Sequence, residues 1–281
     1  MKGVDSIIHL AAIVGDGACD VDPQTSEEVN YAATRMLIEV AKGNGIKRLI
    51  FTSSCSVYGA TDYLMGEFSI ANPISLYGRT KVDSERALLN SVSSDFHPVI
   101  LRLATVFGLS YRPRFDLVVN LLTAKAHGKS RITIFNGTQW RPFIHVQDVA
   151  RGLVQVLDAT IDVVSGEIYN LGDSRMNFTL SQISEKILAE YPGTAVEHVD
   201  NNDRRSYHVS FEKIYNQIGF QCSLTLEDGI REMRKAFEDN PIPDYTDARY
   251  YNQKFLETSS HPVSKDELDR LLMAAFVRAS A

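Results

Sequence analysis

The stretch Arg48-Leu49-Ile50-Phe51-Thr52-Ser53-Ser54-Cys55-Ser56-Val57-Tyr58-Gly59 decides the fold. Its first half is a short apolar run with no polar alternation, the pattern of a strand buried on both faces of a parallel sheet. Upstream, residues 4–10 form a second such run, closed by Ala11-Ala12. Between the two, Thr25 with Glu28 reads as a capping box. Val29, Ala33, Met36, Leu37 and Val40 follow at helical spacing until Gly43 and Gly45 end the helix. Downstream, a helix is expected over 77–89 and a third strand over 97–106, too apolar to be open on either face. Strand and helix therefore alternate three times. That order predicts an α/β fold: a Rossmann-like, doubly wound parallel sheet with helices on both faces.

Beyond it the pattern predicts a helix over 116–127 stopped by Gly128, a strand over 132–135, a helix over 146–157 and a strand over 168–171. Thr179 with Gln182, and Thr225 with Asp228, cap two later helices, and Gly219 stops a short one over 211–218. A short strand is expected over 196–199. Asn240-Pro241-Ile242-Pro243 breaks the pattern, and a polar tail follows with one amphipathic helix over 265–277.

Bulk properties exclude several classes. The 281 residues are enough for a full core, and 44% hydrophobic with 23% charged residues is ordinary for a globular chain. A net charge of -6 with scattered basic residues gives no footprint for nucleic acid or an acidic membrane. No apolar run approaches the roughly 20 residues of a membrane span. Cys19, Cys55 and Cys222 lie far apart without CxxC spacing, so a reducing cytoplasm is the expected compartment. The seven histidines show no ligand spacing, so no metal is expected. His145 reads as a framework residue beside Asp148.

Ser54, Tyr77 and Lys81 carry the chemistry. Tyr77 and Lys81 stand four apart on the expected helix, on one face. An ammonium beside a phenol favours the phenolate, which lowers the tyrosine pKa and makes it a usable general base and acid. Ser54 lies just past a strand end, where open α/β sheets bind ligands. Its hydroxyl is suited to hydrogen-bond the oxygen that the tyrosine deprotonates.

These residues stand in a wider set: HLAA at 9–12, Asn30 with Thr34, Ser54-Cys55-Ser56-Val57-Tyr58-Gly59, and Tyr77-Gly78-Arg79-Thr80-Lys81 with Glu85. Leu101-Arg102-Leu103, Val106-Phe107-Gly108, Arg141-Pro142-Phe143-Ile144-His145 and Arg205-Ser206-Tyr207 continue it. Over residues 3–238 the chain closely resembles the extended short-chain dehydrogenase/reductase family, in particular its nucleotide-sugar epimerases and dehydratases. The resemblance implies Ser54, Tyr77 and Lys81 as catalytic residues and NAD as cofactor. Leu10, Ala11, Ala12, Asn30, Ser53, Tyr77 and Lys81 would contact that cofactor, and Thr105, Asn120, Arg141 and Arg205 the sugar nucleotide. Arginines suit the last task because a guanidinium pairs with phosphate oxygens bidentately. It further implies a dinucleotide-binding part over 1–112 with returns near 132–172, a substrate lobe over 113–250, a tail over 251–281, and a homodimer.

Two departures qualify the resemblance. The family opens with a strand and a glycine-rich turn that receives the pyrophosphate at a helix N-terminus. Gly15-Asp16-Gly17 follows HLAA and lacks the third glycine, so it reads as a substrate-side loop instead. An N-terminally truncated chain, with poor NAD binding and impaired turnover, is the expectation. The 4,6-dehydratase branch carries Asp-Glu after its catalytic threonine, and here Cys55 and Ser56 hold those places, which favours epimerisation or simple redox chemistry. A nucleotide-sugar epimerase, an NAD(P)-dependent dehydrogenase or reductase or a 4,6-dehydratase of the same fold, and a non-catalytic remnant or binding subunit all remain open at this point.

Overall fold

The computed structural model describes residues 3–258 except 204, 240, 241 and 243, so the helix expected over 265–277 lies outside the described residues. Strand β1 (Ser6–His9) leads to α1 (Asp16–Val21) and α2 (Pro23–Glu27). A π-helical turn, Glu28–Ala32, carries α2 into α3 (Ala33–Gly43). Next come β2 (Arg48–Ser54), a 3-10 turn at Cys55–Tyr58, β3 (Ala60–Met65), α4 (Leu76–Leu89), β4 (His97–Leu103) and β5 (Thr105–Phe107). The chain continues through α5 (Val118–Lys129), β6 (Arg131–Phe135), β7 (Trp140–His145), α6 (Val146–Asp158), α7 (Ile161–Val164) and β8 (Ile168–Leu171). After β9 (Asn177–Thr179) and α8 (Leu180–Glu190) come β10 (Ala195–Val199), β11 (Ser206–Val209), α9 (Glu212–Ile218), α10 (Leu226–Glu238) and α11 (Asn252–Thr258).

The main sheet is parallel with order β1-β2-β4-β8. Leu49, Phe51 and Ile100 pack on one face against Ile38 and Ala41 of α3 and Leu88 of α4. Ile50, Val99 and Leu101 pack on the other against Val149, Leu153 and Val156 of α6. Successive side chains of one strand thus enter opposite cores, which explains the lack of alternation in β2 and β4. The doubly wound reading is borne out. A further core joins α5, β6, β7, α8 and α10 through Leu122, Ile134, Phe143, Ile187 and Ile230. No helix among the described residues is long and apolar enough to cross a membrane.

Several local expectations need correction. The run 97–106 is two strands. Its main-sheet part ends at Leu103, Ala104 N–H still donates to Leu171, and Thr105–Phe107 turns to pair with β7 in a separate sheet, order β5-β7-β9. The first capping box is replaced by Asp22, whose carboxylate accepts from Thr25 N–H at 3.1 Å with Pro23 opening the helix. Helix α5 starts at Val118 and passes through Gly128, ending where Ser130 turns left-handed at φ 47°. Strands β3 and β7 carry no clear sequence signal. The boxes at Thr179–Gln182 and Thr225–Asp228 form as expected, and Gly219 closes α9 at φ 72°.

Candidate active site

The C-terminal ends of β1, β2 and β4 open into a hollow of about 440 Å³. Ser54 ends β2 and caps the 3-10 turn after it, its hydroxyl accepting from Ser56 N–H at 3.1 Å and from the Ser56 hydroxyl at 2.9 Å. The chain then doubles back at Gly59, φ 73°, where any Cβ would stand 2.1 Å from the Asn72 carbonyl oxygen. Ser75 caps α4 by accepting from Gly78 N–H at 3.2 Å, which fixes the first turn carrying Tyr77. One turn on, Lys81 Nζ donates to the Thr52 carbonyl at 2.8 Å, with its ammonium 4.6 Å from the Phe51 ring centre and 5.7 Å from that of Tyr77.

Of the residues singled out in the sequence, Leu10, Ser53, Ser54, Tyr77, Lys81, Thr105, Arg141 and Arg205 line this hollow. Ala11, Ala12, Asn30 and Asn120 do not. Asn30 is buried, accepts from Ile13 N–H at 2.8 Å, donates back to the Ile13 carbonyl at 3.0 Å, and so anchors the loop leaving β1. Asn120 is buried too: it accepts from Gly108 N–H at 3.0 Å and donates to the Arg114 carbonyl at 3.1 Å. Ser53 lines the wall, yet its hydroxyl is spent on Glu85. Arg141 donates to the carbonyls of Trp140 and Arg205 and lies over the Tyr207 ring. Arg205 grips Asp203 through Nε (2.9 Å) and Nη2 (2.7 Å) and reaches Asp16 through Nη1 at 2.8 Å. His145 is a framework residue as read, but its partner is Glu232 at 2.9 Å, while Asp148 accepts from Ser223 and Leu224 N–H.

The electrostatics differ from the sequence reading. Burial dominates Tyr77 and pushes its phenol above the ordinary tyrosine value. The Arg114 charge is the main opposing influence, followed by a hydrogen bond with Ser54. Lys81 is turned towards Thr52, and its own pKa is brought down to about 8 by burial, with Cys19 and Glu85 pulling the other way. Arg114 is a hollow-lining charge that sequence reasoning missed. It lines the hollow with its guanidinium on Asp116 at 2.9 and 2.8 Å. The signal was present as Arg112-Pro113-Arg114-Phe115-Asp116, a charged run between strand and helix.

A model of the NAD dependent epimerase/dehydratase family matches residues 1–172. The chain belongs to this family. Within it, the UDP-glucuronate 4-epimerase of Thermodesulfobacterium geofontis is 27% identical over 246 residues, covering 84% of this chain and 73% of that one. The UDP-glucose 4-epimerase of Dictyostelium discoideum is 27% identical over 263 residues, with 85% and 76% covered. Among solved structures, the UDP-glucuronic acid 4-epimerase from Bacillus cereus in complex with UDP-glucuronic acid and NAD superposes with a TM-score of 0.76 at 25% identity, covering 85% and 76%. MoeE5 in complex with UDP-glucuronic acid and NAD gives 0.74 at 27%, covering 85% and 81%. The fold and the enzyme class of the family are therefore those of this chain.

Proposed function

We propose that this chain epimerises a nucleotide sugar through a transient keto sugar, with NAD as cofactor. The observation that carries the reading is the meeting of Ser54, Tyr77 and Lys81 in one hollow at the sheet's C-terminal edge. NAD, when bound, supplies the hydride acceptor and donor. The residues present fit its nicotinamide-ribose half. Leu10, 59% exposed beside the hollow, offers an apolar wall, and Lys81 has two N–H donors left after Thr52. Leu10 alone of the 10–12 stretch forms that wall, while Asn30 holds the loop behind it.

Tyr77, in its phenolate form, takes the proton from a sugar hydroxyl, at carbon 4 by analogy with the named relatives. Ser54 hydrogen-bonds the same oxygen, its lone pairs already engaged by Ser56 so that its own proton points onward. Burial makes the phenolate costly and therefore strongly basic, and Arg114 supplies the positive field that offsets part of that cost. Arg205 pairs with the diphosphate, Arg141 holds the Arg205 backbone, and Thr105 borders the sugar. Asn120 supports the wall through Gly108 and Arg114 without touching the ligand. Dehydration is disfavoured. Burial drives the Cys55 thiol far above its usual pKa, and the Ser56 hydroxyl donates to Ser54, so neither is a carboxyl-like acid. We assign cofactor binding mainly to 1–112 with returns near 132–172, substrate binding to 113–250, a cytoplasmic setting, and a homodimer formed through α3 and α4.

The test is incubation with NAD and UDP-glucuronate or UDP-glucose, followed by separation of the carbon-4 epimers. Epimer without free NADH supports the reading, and accumulation of NADH in solution would make the chain a dehydrogenase. Tyr77→Phe should lower turnover by about 10²–10⁴ while UDP affinity stays unchanged. Undiminished turnover removes Tyr77 from the mechanism.

A further inference from the structure

Each arginine whose guanidinium edge reaches the hollow meets a carboxylate, but the partners differ in kind. Arg114 is gripped by Asp116 two residues on, and Arg205 by Asp203 two residues back. These are local forks that set the side-chain direction and can persist whatever enters. Two further contacts are not local: Arg141 stands 3.8 Å from Asp203, and Arg205 reaches Asp16. Arg205 Nη1 donates to Asp16 Oδ2 at 2.8 Å across 189 residues of sequence. It ties the first residue of α1 to the segment entering β11, and both Asp16 and Arg205 line the hollow.

The backbone around Asp16 is held. Gly15 sits at φ 106°, and Gly17 packs so closely on α11 that a Cβ there would lie 2.3 Å from Gln253 Oε1. Asn252 Nδ2 donates to the Val14 carbonyl at 2.8 Å. The pair is wet, with Asp16 26% and Arg205 43% exposed, so its net strength is small and its exchange is cheap. A guanidinium edge facing a cleft, and occupied by a distant carboxylate, presents an anion's place already filled.

We infer that Asp16 is a stand-in anion for Arg205, giving up Nη1 to the diphosphate of the incoming nucleotide sugar and so setting affinity and selectivity at this end of the site. The inference rests on the nucleotide-sugar reading. A ligand with a diphosphate replaces the lost carboxylate partner with a doubly charged one. A ligand without phosphate has nothing to offer Arg205 and gains nothing by breaking the pair. Once displaced, the Asp16 carboxylate remains beside the bound phosphates and repels them. It therefore weakens binding twice, by competing for the donor and by its charge, and it favours release of a diphosphate-bearing product.

Calorimetric titration of UDP and of uridine into the full chain, Asp16→Asn, Arg205→Gln and the double variant tests this. Asp16→Asn should bind UDP about threefold to tenfold more tightly than wild type. Its uridine affinity should not change. Arg205→Gln should bind UDP more weakly, and adding Asp16→Asn to it should restore less than half of that gain. Equal or weaker UDP binding by Asp16→Asn overturns the inference, as does a gain that survives intact without Arg205. Absence of UDP binding in all four proteins sinks the nucleotide reading itself, an outcome distinct from wild-type binding that Asp16→Asn leaves unaltered.

Discussion

Lys81 is 3% exposed, with a carbonyl and an aromatic ring for company, and its pKa of about 8 lies below the ordinary 10.5. A lowered lysine value means that the folded state gives up its proton while the unfolded chain still holds one. Below pH 8 both states are protonated, and the burial cost of the charge is fully present. From pH 8 towards 10 the unfolded chain binds more protons, so stability rises, by at most ~1.4 kcal/mol per pH unit. Above 10 the sign reverses, because buried Tyr77 keeps a proton that an unfolded tyrosine has lost. Urea denaturation at intervals from pH 8 to 10 should show wild type gaining on Lys81→Met, whose curve lacks that slope, while turnover of the variant is lost at every pH. Parallel curves would show that the ammonium is not buried as described. The Tyr77–Lys81 spacing was legible because helix geometry alone puts those residues on one face. What the spacing could not show was direction: Lys81 points at Thr52, and the charge acting on the phenol comes from Arg114, which lies 37 positions beyond Tyr77 in an irregular segment held by Asn120.

At the scale of elements, the turn between β2 and β3 aims the strand end that carries Ser54. Gly59 combines φ 73° with a Cβ position 2.1 Å from backbone, so alanine there meets both strain and a collision that no rotamer relieves. Gly193, at φ 90° with nothing within 4 Å, isolates the strain alone. Gly59→Ala should cost at least about 2 kcal/mol more than Gly193→Ala in urea unfolding. It should also depress turnover, because Ser54 and the start of α4 flank the contact with Asn72. Equal costs would mean that the turn yields freely. Legibility follows the same logic. Elements whose ends are set by their own residues, such as the helices after Thr179 and Thr225 or before Gly219, were readable. Strand β7 was not, because Pro142 and Arg141 mask it and its partners β5 and β9 lie far along the chain. The break at Ala104 is equally silent, since it is a change of pairing partner rather than of composition.

At the scale of the whole molecule, a polar seam crosses the apolar sheet. Ser53, Arg102 and Asn170 are in register on β2, β4 and β8. Glu85 of α4 accepts from Ser53 and from Arg102 at 3.0 and 2.7 Å, Arg102 Nη1 donates to the Tyr58 hydroxyl at 3.0 Å, and Tyr58 donates to Asn170 at 2.7 Å. The two charged side chains are only 5% and 4% exposed. Composition and periodicity foretold a sheet flanked by helices but not this seam, because register is a property of paired strands. The seam fixes the helix bearing Tyr77 and Lys81 against three strands at once, and it does so with charges whose desolvation is expensive. Removing one partner should thus hurt far more than removing both. Glu85→Gln leaves the guanidinium buried beside a neutral amide and should cost about 3–5 kcal/mol in urea unfolding. Adding Arg102→Met to it should recover more than half of that loss, since the seam is then polar but uncharged. If the double variant is as unstable as the single, the energy lies in the hydrogen bonds to Ser53 and Tyr58 rather than in the ion pair.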